Sequence, residues 1–320
     1  MSNEHPISPV VDVRVRFVEV DDERAGQRLD NFLKLHLKGV PKTRIYRIIR
    51  KGEVRVNKGR VTADYRLAAG DNVRIPPVRM AEKAPAPSPS AGMSGAIEQS
   101  IMYEDDALLV VNKPSGMAVH GGSGVSLGVI EALRAMRPES RFLELVHRLD
   151  RDTSGCLLIA KKRSMLKHLH VQMQSGKTEK IYQLLVTGRW PNRRHTVKAP
   201  LLKNTLRSGE RIVVVHPEGK ASVTHFQVLE RLDGCTLVEA RLETGRTHQI
   251  RVHSRHVGCP IIGDEKYGDD EVNKTMKQQG VRRLFLHAAR LKVQLPDRRE
   301  MVFEAPLPED LCEGLQQLRG

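Results

Sequence analysis

The sequence predicts an α+β protein of two domains, and three observations predict it. Residues 10–78 hold two short helical patterns followed by brief strand-like runs, all strongly basic. Residues 79–100 carry Pro85, Pro87 and Pro89 among Ala, Ser and Gly, the composition of an extended, flexible linker. From Ile101 to the end, strand-like runs recur between turn signals, which implies a large mixed, mostly β domain over 101–320. A chain of 320 residues is long enough for this division. Aromatics make up only 4%, so the cores must be built from Val, Leu, Ile and Ala.

Composition narrows the function classes. The formal net charge is +15 and the pI about 9.9, which favours a polyanionic partner, nucleic acid before membrane. No apolar run approaches the roughly 18 residues of a spanning helix, and the start Met1-Ser2-Asn3-Glu4-His5-Pro6 lacks a signal peptide's basic and apolar regions. Cys156, Cys235, Cys259 and Cys312 form no C-x-x-C pair, which excludes a disulfide framework and suits the cytoplasm.

In the first domain, Leu29, Phe32 and Leu33 at i, i+3, i+4 predict a helix over Arg28 to Leu37, ending near Gly39. Pro41 opens a second helix with Ile45, Ile48 and Ile49 inward and Gly52 as its C-terminal stop. Lys42, Arg44, Arg47, Arg50 and Lys51 lie on the other face. Strands are expected at Val54 to Val56, near Val61 and at Val73 to Ile75, with a turn at Asn57-Lys58-Gly59. From Lys34 to Arg60 ten basic residues face one acid, Glu53, too concentrated for an ordinary solvated surface. The pattern resembles the alpha-L RNA-binding motif, the fold of small-subunit ribosomal protein four, which grips phosphates without reading sequence.

The second domain opens with Leu108-Leu109-Val110-Val111-Asn112-Lys113-Pro114-Ser115-Gly116, a strand running into a Pro/Gly turn. His120 to Gly124 is Gly-rich but lacks a G-K-[ST] ending, so nucleotide binding is not expected. A helix is expected over Ser126 to Arg137. Then comes His147-Arg148-Leu149-Asp150-Arg151-Asp152-Thr153-Ser154-Gly155, a polar loop wedged between two apolar runs, which reads as functional. Taken alone, an Asp before such a turn more often caps backbone N–H groups, Arg148 is open to a surface ion pair, and a Tyr in a strand such as Tyr182 is more often core packing.

This loop, the Lys180-Ile181-Tyr182 block and the run Thr244-Gly245-Arg246-Thr247-His248-Gln249-Ile250-Arg251 follow one another in the order of the pseudouridine synthases with an H-R-L-D signature. The chain resembles that family over nearly its whole length. The resemblance implies a mostly antiparallel catalytic sheet, Asp150 as the catalytic carboxylate, Arg148 taking the flipped base's place in the stack, and Tyr182 and Ile250 against the base. It also implies that Arg251 pairs with Asp150 and that ribosomal RNA of the large subunit is the partner, at more than one uridine. Thr247 is expected to cap the helix that carries Arg251.

The implied reaction breaks the bond from the base nitrogen to the sugar, turns the base, and joins carbon-5 in its place. Nothing is oxidised and no group is lost, so no cofactor and no metal are expected. One carboxylate suffices, as nucleophile or as electrostatic partner to an oxocarbenium-like sugar, provided a fixed cation offsets its desolvation. The uridine must also leave its stack. His253, His256 and Cys259 lack a fourth ligand at useful spacing. Leu284 to Val293 and Pro308 to Leu318 read as a core strand and a closing helix. A silent RNA-binding relative would tolerate losing Asp150, Tyr182 or Arg251, and a glycoside hydrolase would commonly need a second placed carboxylate. A monomer is expected.

Overall fold

The computed structural model describes residues 14–37, 39–78, 88–122, 127–140, 142–192, 195–205 and 211–320. The chain divides into two units, Met1–Pro87 and Ser88–Gly320. Residues 10–13 and 79–87, Ser123 to Ser126 and Leu206 to Glu210 lie outside the described residues.

The first unit contains β1 (Arg16–Glu19), α1 (Leu29–His36), α2 (Lys42–Arg50), β2 (Arg55–Val56) and β3 (Asn72–Ile75), with the sheet in the order β1-β3-β2. Its core joins Leu29, Phe32 and Leu33 of α1 to Ile45, Ile48 and Ile49 of α2, all buried. Each such side chain contributes about 1.5–3 kcal/mol on burial. The helical spacing therefore leaves Lys42, Arg44, Arg47, Arg50 and Lys51 exposed together. Asn57 and Lys58 both take positive φ, and Val56 and Gly59 exchange backbone hydrogen bonds, as a tight hairpin turn requires. No strand forms near Val61. The carbonyls of Ala63 and Tyr65 instead accept from Asp30 N–H and Leu29 N–H, so this stretch satisfies the open N-terminus of α1 and is not free to join a ladder.

The second unit holds α3 (Ala91–Gln99), which corrects the last part of the linker expected over 79–100. Gly92 and Gly95 give the segment a weak helical signal. Packing decides: the Ser90 side chain accepts from Met93 N–H, and Ile97 is fully buried against Leu109 and Val111. There follow β4 (Ile101–Glu104), β5 (Leu108–Lys113), α4 (Val129–Met136), β6 (Glu144–Leu145), β7 (Ser154–Ala160), α5 (Arg163–Gln174) and β8 (Glu179–Thr187). The chain continues through β9 (Thr196–Lys198), β10 (Leu201–Thr205), β11 (Arg211–Val215), β12 (Val223–Leu232), β13 (Cys235–Leu242) and α6 (Gln249–His256). It closes with α7 (Asp270–Gln278), β14 (Leu286–Gln294), β15 (Glu300–Glu304) and α8 (Glu309–Arg319).

Ten strands form one sheet along β4-β5-β7-β14-β8-β13-β12-β9, with β15 on β14 and β6 on β7. Every described pairing is antiparallel except β7 with β14. The sheet is buried on both faces at its centre. Leu157 and Ile159 of β7 join α3 and α4, while Leu158 and Ala160 join Met165 and Leu169 of α5. Hairpin β10–β11 stands apart as a second, two-stranded sheet beside α6.

Candidate active site

The loop before β7 is held so that one carboxylate is left facing a pocket. His147 Nε2 accepts from Leu158 N–H (3.1 Å), and burial lowers its pKa to about 4, so the ring is neutral and able to accept. Leu149 is buried in the core. Arg151 O accepts from Lys113 Nζ (2.9 Å), which also donates to the carbonyls of Pro114 and Met117. Lys113 is fully buried, and desolvation brings its pKa down to about 7. Thr153 N–H donates to Asp150 O.

Ser154 and Gly155 lock the loop onto β14. The Ser154 hydroxyl bonds His287 Nδ1 (2.9 Å), while His287 Nε2 donates to Ala305 O (3.0 Å). Gly155 has φ +112°, and a Cβ there would lie 2.3–2.7 Å from the Ala288 backbone. Ala288 sits in a bulge, where Ala288 and Ala289 lie between the pairs His287–Gln183 and Arg290–Ile181, opposite the single residue Tyr182. The bulge thus lies between the loop's last residue, on β7, and Tyr182, on β8, the two strands that flank β14.

Helix α6 supplies the cation. Its start is pinned by Gln249, whose Oε1 accepts from Thr244 Oγ1 and Arg246 N–H and whose Nε2 donates to Val223 O and Thr224 Oγ1. Thr247 does not cap this helix. The chain enters through His248 in the left-handed region (φ 53°), with no side-chain cap. Arg251 Nε and Nη2 donate to Asp264 Oδ2 and Oδ1 at 2.7 and 2.8 Å, and its guanidinium lies 5.0 Å from the centre of the Tyr267 ring. Its remaining Nη1 lies 3.6 Å from Asp150 Oδ2, and His248 Nε2 lies 3.8 Å from the same oxygen. Asp264 is buried, and Arg251 holds its carboxyl below the usual range against the opposing effect of burial.

The structure brings Arg148, Asp150, Tyr182, Ile250 and Arg251 around one pocket of about 110 Å³, which adjoins a cleft of about 900 Å³ through Arg148, Asp150, His248 and Arg251. The Arg148 side chain is exposed and makes no hydrogen bond or ion pair among the described residues. Burial, with the charge of Asp150, raises the pKa of the Tyr182 hydroxyl, so it keeps its proton at neutral pH. Asp264, Tyr267 and Lys113 were not marked by sequence reasoning; of these, only Lys113 stood in a block already singled out. His253 is committed elsewhere, with Nε2 donating to Ala199 O and Nδ1 bonded to Thr224 Oγ1, which leaves neither ring nitrogen open to a metal. No cluster of metal-ligating side chains occurs among the described residues.

Residues 107–256 match the RNA pseudouridylate synthase family and residues 27–73 match the S4 domain. The chain belongs to the RNA pseudouridylate synthase family. It is 57% identical over 310 residues to ribosomal large subunit pseudouridine synthase C of Escherichia coli (strain K12), covering 96% of this chain and 97% of that protein. It is 54% identical over 312 residues to the protein of the same name from Haemophilus influenzae, covering 97% of each. The solved structure of human RNA Pseudouridylate Synthase Domain Containing 4 aligns with a TM-score of 0.60 at 27% identity, over 71% of this chain and 96% of that one.

Proposed function

We propose that this enzyme converts uridines of large-subunit ribosomal RNA to pseudouridine, with Asp150 as the carboxylate that acts at the sugar and with no cofactor. The observation that carries this reading is the geometry of Asp150. It faces a pocket and a guanidinium whose other edge is fixed by Asp264. A carboxylate so placed is ready either to bond the anomeric carbon or to stabilise positive charge there. The bond from the sugar's anomeric carbon to N1 breaks, the base turns in the pocket and bonds the same carbon through C5, the C5 proton leaves and N1 takes one up, so no atom is lost overall.

The other side chains fit supporting roles. Ile250 and the Tyr182 ring form the walls against the base. Tyr182 holds its own proton, so it serves as a surface and hydrogen-bonding group rather than as a phenolate base. The free, planar Arg148 suits the gap that a flipped base leaves in the stack. On the S4 domain, Lys42, Arg44, Arg47, Arg50 and Lys51 are exposed and make no ion pair among the described residues, as phosphate-gripping side chains would be. No helix of the described residues is long and apolar enough to cross a membrane; the proposed ribosomal RNA substrate is what supports a cytoplasmic location.

The relatives' names point to large-subunit RNA, and one map tests it. Pseudouridines are charted in the ribosomal RNA of a strain lacking this gene and in the same strain with the gene restored. More than one large-subunit uridine is expected to stay unmodified in the first and to be modified in the second. An unchanged map refutes the substrate.

A further inference from the structure

His248 has no part in the reading above, yet it is the second group facing Asp150. It is held by three independent features. Its backbone sits at φ 53°, a conformation that costs a non-glycine residue of order 1 kcal/mol or more and persists only where the surroundings enforce it. Its Nδ1 lies 2.7 Å from the Tyr267 hydroxyl, and its ring meets the Tyr267 ring edge-on. The Tyr267 hydroxyl in turn accepts from Val213 N–H of β11 at 2.9 Å.

The direction of these bonds can be worked out. Tyr267 is buried, and its hydroxyl has one proton to donate. Among the described residues its only hydrogen-bond partners are Val213 N–H, which is a donor, and His248 Nδ1. Unless the proton goes to Nδ1, a buried hydroxyl is left unsatisfied, at a cost of about 1–3 kcal/mol. Nδ1 is therefore the acceptor, and the neutral imidazole carries its hydrogen on Nε2. Nε2 lies 3.8 Å from Asp150 Oδ2, so its N–H is close enough for attraction and too far for a full hydrogen bond.

We propose that His248 is a positioning residue for Asp150, locked by Tyr267 as a neutral imidazole that presents an N–H, and neither a lone pair nor a second full positive charge, to the carboxylate. This rests on Asp150 being the reactive carboxylate. The charged groups facing His248 are Asp150, Arg251, Lys266 and Asp264. Arg251 already provides one cation. An imidazolium beside it would draw Asp150 into a tight ion pair and away from the sugar. Burial first, with Arg251 and Lys266, lowers the pKa of the ring against the opposing charges of Asp150 and Asp264, and a hydrogen bond donated to the Nδ1 lone pair acts in the lowering direction. Because Val213 anchors Tyr267, the seating of hairpin β10–β11 is connected to His248 through two hydrogen bonds, and from there to the carboxylate by the 3.8 Å contact.

The test uses the full-length enzyme with ¹⁵N-labelled histidine, and His248→Gln identifies the His248 signals. In the wild type, Nε2 is expected to carry the proton and Nδ1 to be bare. Tyr267→Phe keeps the ring beneath Arg251 and removes only the hydroxyl. Its His248 pKa should rise by about one unit, the equivalent of one hydrogen bond. Its kcat on unmodified large-subunit RNA should then fall roughly tenfold for each pH unit below the new pKa, with KM within about twofold. Adding His248→Gln to Tyr267→Phe should flatten that profile, because an amide donates but does not titrate. A wild-type signal with the proton on Nδ1, or a Tyr267→Phe enzyme whose kcat follows the same pH profile as the wild type's, overturns the proposal. Asp150→Asn is run alongside: its activity bears on the proposed function, whereas a dead Asp150→Asn with an unshifted Tyr267→Phe profile removes only the role of His248.

Discussion

Arg251 is a shared cation, and its two carboxylate partners should respond differently to mutation. Asp264 is buried and takes both strong bonds from the guanidinium, while Asp150 sits 3.6 Å from the one nitrogen left over. Removing Asp264 leaves a buried cation without its partner, so Asp264→Ala should cost about 3–5 kcal/mol of folding stability by urea denaturation. Asp150→Asn should cost less than about 1 kcal/mol in the same assay, since no close bond is broken. Equal losses in the two variants would mean that the clamp on Arg251 is misread. Arg251→Met strands both carboxylates and should be destabilised about as much as Asp264→Ala, besides losing turnover. The family resemblance implied that Arg251 pairs with Asp150, but Asp264 was not legible because it follows α6 in an unremarkable Gly-Asp-Glu-Lys turn. Only the tertiary fold brings that turn back beneath the helix.

The link between β7 and β14 holds the loop, and two predictions belong to it. Gly155→Ala forces a Cβ to within 2.3 Å of the Ala288 backbone at a φ that suits glycine, so a loss of roughly 2–4 kcal/mol is expected by denaturation. A stable Gly155→Ala enzyme would show that β14 can back away. His147 and His287 each have a folded-state pKa near 4 against an ordinary value of 6.5, through burial. Between these values the unfolded chain binds more protons, so stability is fully present above pH 6.5 and is lost as pH falls toward 4. His287 alone accounts for about 3 kcal/mol of that loss. Denaturation midpoints at pH 7.5, 5.5 and 4.5 should fall in that order, and a midpoint that is flat across this range contradicts the neutral, accepting role of these rings.

These elements also show what the sequence made legible. The helix pair, β5, β7, β14 and α8 announce themselves through apolar periodicity and turn residues. Helix α3 does not, because two glycines in a Pro-rich neighbourhood mask a segment that one buried Ile97 and a Ser90 cap hold helical. The stretch near Val61 looks like a strand by composition, yet its carbonyls are taken by the first turn of α1. The residues of the H-R-L-D loop could be named, but why Ser154 and Gly155 belong there emerges only from the backbone of β14. Thr247 failed as a cap because the helix is entered through the left-handed His248, a conformation that no local pattern signals.

Across the whole molecule, affinity and chemistry are assigned to different units, and salt separates them. If the exposed basic face of α2 grips phosphates, changing Arg44, Arg47 and Lys51 to Glu should weaken RNA binding strongly. It should also reduce the slope of log affinity against log salt by roughly 0.7–0.9 for each phosphate no longer gripped. Single-turnover rates at saturating RNA should stay near the wild-type value, because none of those residues lines the pocket. An unchanged salt slope would make them a solvated face, and a dead enzyme at saturation would mean that the S4 domain also shapes the catalytic complex.

The central claim is that Asp150 performs the isomerisation, and the most direct measurement compares wild-type and Asp150→Asn enzyme on the same unmodified large-subunit RNA, counting pseudouridine formed and measuring RNA affinity in parallel. The substitution preserves shape and removes charge. No pseudouridine with affinity within a few-fold of wild type is the expected result, whereas pseudouridine formed at a near-wild-type rate would contradict the account.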